Sequence, residues 1–152
     1  MIRSEERIKE LYKAAEWSFS DDEFSENNYK VHSVLLDSDL EINFLSLSNH
    51  EIIIYVPVYT LGSDRGEEAE KLKFMSSLIA KLNIDYSVGS SVSDNVFRLE
   101  LHIDVDRYDL PQTELLLQNF LDGCDLIIEE SKNYEESKNG MFNHIPNNFL
   151  MS

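Results

Sequence analysis

Glu100, His102 and Asp104 are spaced two apart, which puts a carboxylate, an imidazole and a second carboxylate on one side of any extended segment that carries them. Such a ladder could hold a divalent metal ion or pass a proton. Ligands on one flat strand seldom converge without a fourth group from elsewhere, so a solvated polar face is the simpler account and no metal is expected. The other reactive types are less organised. Cys124, the only cysteine, falls on the apolar stripe of a helical pattern and reads as a buried small hydrophobe rather than a nucleophile. His50 stands beside Glu51 in a turn, and His32 and His144 have no acidic or cysteine partner at motif spacing. Asp21, Asp22, Glu23 and Glu26 could bind calcium loosely, but they lack the spaced oxygen ligands and central glycine of a calcium loop. With no nucleophile motif, metal-ligand spacing or phosphate loop, no catalytic residue and no cofactor are expected, and a small enzyme is disfavoured.

The ladder belongs to the most regular stretch of the chain, Asn95 to Asp106. Phe97, Leu99, Leu101, Ile103 and Val105 alternate there with Arg98, Glu100, His102, Asp104 and Asp106, as in an antiparallel strand with one face on a core and one in water. Composition sets the wider limits. A chain of 152 residues fits one domain that needs no disulfide or metal to fold. Its 29 acidic and 13 basic residues leave a net charge of −16, which opposes binding to nucleic-acid phosphates or anionic lipid. A single cysteine gives no disulfide framework, acidic Glu5 and Glu6 stand where a signal peptide would need an apolar core, and no apolar run is long enough to span a bilayer. A soluble cytoplasmic protein is expected, with no nucleic-acid and no membrane partner.

The elements follow from periodicity and punctuation. Ser4 is a candidate N-cap for a first helix whose apolar stripe is Ile8, Leu11, Tyr12 and Ala15. An acidic loop from Ser18 to Asn28 comes next, either anchored by one of Phe19 and Phe24 or mobile. Strands are expected at Lys30 to Leu36, Leu40 to Leu47 and Glu51 to Thr60, separated by Asp37-Ser38-Asp39 and Ser48-Asn49-His50. The third, EIIIYVPVYT, is apolar on both alternations and should be covered on both faces. Pro57, which cannot donate to a ladder, marks an edge, a bulge or the strand's end. Asp64 and Glu67 have capping-box spacing for a helix over Gly66 to Leu82. A hairpin follows: Ile84 to Val92, with Gly89 as a bulge or bend, then an Asp94-Asn95 turn into the alternating strand. Asp109 and Gln112 repeat the capping-box spacing for a last helix running to about Lys132. The domain is therefore 1–132. Residues 133–152 form a polar tail with apolar islands at Met141-Phe142 and Phe149-Leu150-Met151, disordered or docked.

Helix, three strands, helix, two strands and helix make an α+β protein: a mostly antiparallel five-stranded sheet with helices packed on one face. The order, the acidity and the stretch from Leu40 to about Tyr134 resemble the type III secretion chaperone-like fold, which includes the export chaperones and the related YbjN-type bacterial sensory-transduction-regulator proteins. The echoes are EIIIYVPVYT, a helix ending in LIAKLN, a hairpin ending in RLELHIDVD and a closing helix introduced by LPQTELLLQNFL. The resemblance implies a non-enzymatic homodimer that holds a segment of another protein. Tyr12, Trp17, Tyr55 and Tyr59 are the candidate partner-binding aromatics, which could equally fill the core, and Leu72, Met75 and Ile79 the candidate dimer surface. Between Asp85 and Glu130 stand 11 acidic and 2 basic residues. They would either steer a basic partner, as in an acidic immunity or inhibitor protein, or only keep a sticky binder in solution.

Overall fold

The computed structural model describes residues 2–20, 22–24, 31–82 and 88–144. Its elements run α1 (Arg3–Ala14), β1 (Val31–Leu35), β2 (Glu41–Ser46), β3 (Glu51–Thr60), α2 (Arg65–Leu82), β4 (Val88–Ser93), β5 (Val96–Asp104) and α3 (Leu110–His144). The chain is α+β: three helices and an antiparallel sheet whose strands lie in the order β1-β2-β3-β5-β4. Because β3 pairs with β5, the two hairpins join at the centre, and the longest strands are the most enclosed.

The alternation read from β5 gives the sheet its dry side. Leu99, Leu101 and Ile103 pair with Val56, Ile54 and Ile52 of β3, and all six side chains are at most 1% exposed. Ile42 and Phe44 extend this layer along β2, and Ile8, Leu11, Phe120 and Ile127 of α1 and α3 close over it. Burying a side chain of this size contributes roughly 1.5–3 kcal/mol, so this layer supplies most of the driving force for folding. Cys124 lies within it, 1% exposed, and burial first and Asp125 second push its thiol well above the ordinary range. A thiol held protonated there is no nucleophile.

Local signals place the ends. Asp94 and Asn95, with φ of 52° and 64°, turn β4 into β5 in the left-handed conformation that two-residue hairpins favour. Asp109 and Gln112 form the full reciprocal cap of α3: each backbone N–H donates to the other's side-chain oxygen at 2.9 Å. Asp64 accepts from the Glu67 N–H at 3.1 Å at the start of α2. Pro57 sits where the β3–β5 register shifts, between Pro57 and Tyr59. The shift carries Tyr59 to the covered side, where its ring stacks on Phe97 at 5.3 Å.

Other expectations are corrected by tertiary contacts. Ser4 is not the N-cap of α1; Ile2 holds that position without a side-chain bond. The helix end is instead met by the β2–β3 turn, where Asn49 accepts from the Arg3 N–H through its side chain and from the Ser4 N–H through its carbonyl, both at 2.9 Å. Gly89 stands in unbroken register opposite Glu100, so it makes no bulge. The last helix does not stop near Lys132 but continues to His144. Two contacts with α2 hold this extension, Phe74 stacked on Tyr134 at 4.7 Å and Lys71 paired with Glu135 at 2.5 Å. The island Phe149-Leu150-Met151, like residues 84–87 of the expected strand, lies outside the described residues.

Candidate functional site

The second face of the sheet is the candidate binding surface. In a strand successive side chains point to opposite faces, so the register that buries Ile54 turns Ile53 and Tyr55 away from the helices. Across the strands this face carries two rows, Val31–Leu45–Ile53–His102 and Ser33–Asn43–Tyr55–Glu100. The first is apolar for three of its four positions. Val31 is 49% exposed, and beyond the end of β2 Leu47 is 49% exposed as well, with Leu35 at the far end of β1 reaching 69%. β3 is therefore covered by helices on one side, as expected, while on the other side Ile53, Tyr55 and Pro57 are only half-buried by the described residues of this chain.

The second row is a polar network. Ser33 donates to the Asn43 side-chain oxygen at 2.6 Å, and the Asn43 amide donates to the Tyr55 carbonyl at 3.4 Å. Arg98 lies over the Tyr55 ring at 4.3 Å and pairs with Glu100 at 2.8 Å, while His102 is 3.4 Å from the other Glu100 oxygen. Glu100 and His102 of the ladder are thus engaged in an ion-pair network with Arg98 along β5, while Asp104 accepts from the Asp106 N–H at 2.9 Å. Among the described residues no group of three or more His, Cys, Asp or Glu could hold a metal ion. What this face can do chemically is exclude water from another chain's apolar groups beside fixed charges.

The candidate aromatics do not share one surface. Tyr12 is 1% exposed, at the centre of rings from Trp17, Phe19, Phe24, His32 and Phe44 whose centroids are 5.3 to 6.4 Å away. Burial, then Glu23, then Glu5 push its phenol well above the ordinary value. Trp17 is half-buried and walls a groove of about 210 Å³ between α1 and α3, with Ala14, Ala15, Leu117 and Leu121. Tyr55 lies on the open face, and Tyr59 is enclosed under Lys71, whose ammonium is 3.9 Å from its ring centroid. Of the candidate dimer residues, Met75 is 0% and Ile79 9% exposed, both in the core of their own chain, and Leu72 is partly buried against that core.

One arrangement was invisible at motif spacing. His32, on the covered side of β1, is 2% exposed; its Nε2 is 2.6 Å from Glu5 on α1 and its Nδ1 3.1 Å from Glu23 in the turn that follows Ser20. The partners stand 27 and 9 residues away, so only the packing of α1 on the sheet makes them neighbours. Glu23 thereby has a structural role that its place in an acidic loop did not announce, while Asp21 and Glu26 lie outside the described residues.

No known family profile matches the chain, and no characterised protein matches it by sequence. Solved structures do match its fold. The chain is similar to one from the crystal structure of the ExsC–ExsE complex, at 17% identity and a TM-score of 0.57, over 82% of this chain and 90% of that one. It is similar to one from the complex of the Yersinia pestis type III secretion chaperone SycH with a stable fragment of YscM2, at 9% identity and a TM-score of 0.55, over 82% and 98%. A third match, from the ExoU–SpcU heterodimer of the Pseudomonas aeruginosa type III secretion system, has 13% identity and a TM-score of 0.50 over 69% and 84%. The fold of this chain is that of the type III secretion chaperones.

Proposed function

We propose that this chain is a non-enzymatic, chaperone-like protein that works as a homodimer and holds a segment of another protein. The observation that supports this most is the open sheet face. Val31, Leu45 and Ile53 form an apolar row at the side of the sheet that ends in the short strand β1, which has no second strand partner among the described residues. An extended segment laid there would bury its apolar side chains, and the edge offers backbone groups to pair with. The likeness to SycH, a chaperone solved with a fragment of another protein, supports the same reading. The charge of −16 keeps a protein with exposed Leu35 and Leu47 in solution.

Capture from native lysate on the immobilised protein, at low and at high salt, tests this. One stoichiometric protein is expected to stay bound at high salt, because apolar burial is not screened, and to be lost when Ile53 is changed to Asp. A partner that Ile53→Asp retains, with its circular dichroism unchanged, would remove the open face from the account. Light scattering is expected to return a dimer at micromolar concentration, and a strict monomer would end that part of the proposal.

A further inference from the structure

We propose that the segment held on the open face carries a lysine or arginine two residues from an apolar side chain, the apolar group on the Val31–Leu45–Ile53 row and the basic one on the carboxylates of Glu51 and Asp104. This rests on the reading of that face as the binding surface and names the chemistry of what it takes. Register places the parts. One row along from Ile53, Glu51 of β3 stands directly opposite Asp104 of β5, and Leu47 joins the same row from the β2 side, where its N–H donates to the Glu51 carbonyl at 2.9 Å. Residues two apart on a strand share a face, so all three lie beside the apolar row and on its side of the sheet.

Carboxylates that face each other across a strand pair have Cβ atoms about 5 Å apart and repel. Among the described residues no lysine or arginine pairs with either of these two. Glu51 has His50 at 3.6 Å, and Asp104 accepts the Asp106 N–H at 2.9 Å. The neighbouring cations are engaged elsewhere: Arg3 pairs with Asp106, Arg98 pairs with Glu100, and Arg107 lies over the Tyr108 ring at 5.5 Å. The Glu51 side chain is 48% exposed, so an incoming group can reach it. Leu47 flanks it at 49% exposure, and the aliphatic stem of a lysine or arginine would cover Leu47 while its charged head meets the carboxylates.

Charge and spacing choose the occupant. An extended chain places residues i and i+2 on one side roughly 7 Å apart, which is also the separation of the Ile53 row from the Glu51 row. A second copy laid face to face here would bring its own Glu51 and Asp104 to a surface that is already acidic, on a chain of net charge −16. Residues 145–152 of this chain, IPNNFLMS, have apolar groups but no lysine or arginine. A segment of a different protein with a basic and an apolar residue at this spacing satisfies both rows.

Selection from a phage-displayed library of random twelve-residue peptides on the immobilised full chain tests this. Enriched peptides should share a lysine or arginine two positions from a large apolar residue. A synthetic peptide of the enriched sequence should bind the double variant Glu51→Gln with Asp104→Asn about tenfold or more weakly than wild type at low salt, and the gap should close near about 1 M salt. The free double variant should unfold at the same or a higher denaturant concentration, because the amides remove the repulsion and keep an oxygen to accept the Asp106 N–H. Peptides that are lost on Ile53→Asp but show no basic preference would overturn the inference and leave the open face as the binding surface. Peptides that bind Ile53→Asp as well as wild type would remove the face itself. A library that yields no enrichment, or a double variant less stable than wild type, would also overturn the inference.

Discussion

Ile54 and Ile53 are neighbours on one strand and meet opposite worlds. Ile54 is 0% exposed between β2, β5 and the helices, while Ile53 is half-buried in a row that runs out to Val31, at 49%. The same alternation that builds a core on one side of β3 leaves apolar surface on the other. On β5 the second side is polar and self-paired, through Arg98, Glu100 and His102. The outer face is thus polar and self-paired on β5 and apolar and half-buried on β3, and it is the β3 side that the proposed partner would cover.

Substitution at paired positions sharpens the contrast. Ile54→Ala should cost the most, about 2–5 kcal/mol, because a cavity opens in a layer with no room to collapse; denaturant midpoints read it. Asp109→Ala, which removes half of the cap that starts α3 over that layer, should cost about 1 kcal/mol by the same assay. Ile53→Ser, at a half-buried position of a central strand, should cost about 1 kcal/mol, well below Ile54→Ala, yet lose retained partners in capture. A loss as large as that of Ile54→Ala would mean the open face is part of the protomer's core.

Tyr59, at the bulge where β3 changes sides, gives a smaller and pH-dependent difference. Burial first, then Glu68 and Glu135, push its phenol up to about 12. An unfolded tyrosine titrates near about 10, so between these values the folded chain holds a proton that the unfolded chain has lost. Its contribution is complete below about pH 10 and falls as the pH rises towards 12. Tyr59→Phe should flatten that part of the stability curve in alkaline melts, and an unchanged slope would assign the alkaline loss to other groups.

Much of the frame is legible in residues a few positions apart. Period two in Phe97 to Val105, the Asp109–Gln112 cap and the Asp94-Asn95 turn each express physics confined to neighbours, and each reappears in the folded chain. The binding candidates were less legible. Aromatic type marks a residue that buries well, but Tyr12 and Tyr59 do so inside the protomer and Tyr55 on its open face, and type does not distinguish the two. Met75 and Ile79 fared similarly, since an apolar helical stripe names a buried face without naming what buries it.

By itself, then, the sequence determined the order of elements, the side of β5 that is dry and where α2 and α3 begin, because backbone caps, turns and alternation act over two to four residues. Only the tertiary structure decided the rest. It supplied the Asn49 cap of α1, the hold of Lys71 and Phe74 on the extension of α3, and the joining of His32 to Glu5 and Glu23. These are contacts between groups far apart in the chain, and a hydrogen bond or a ring stack depends on ångström distances that spacing along a sequence does not encode.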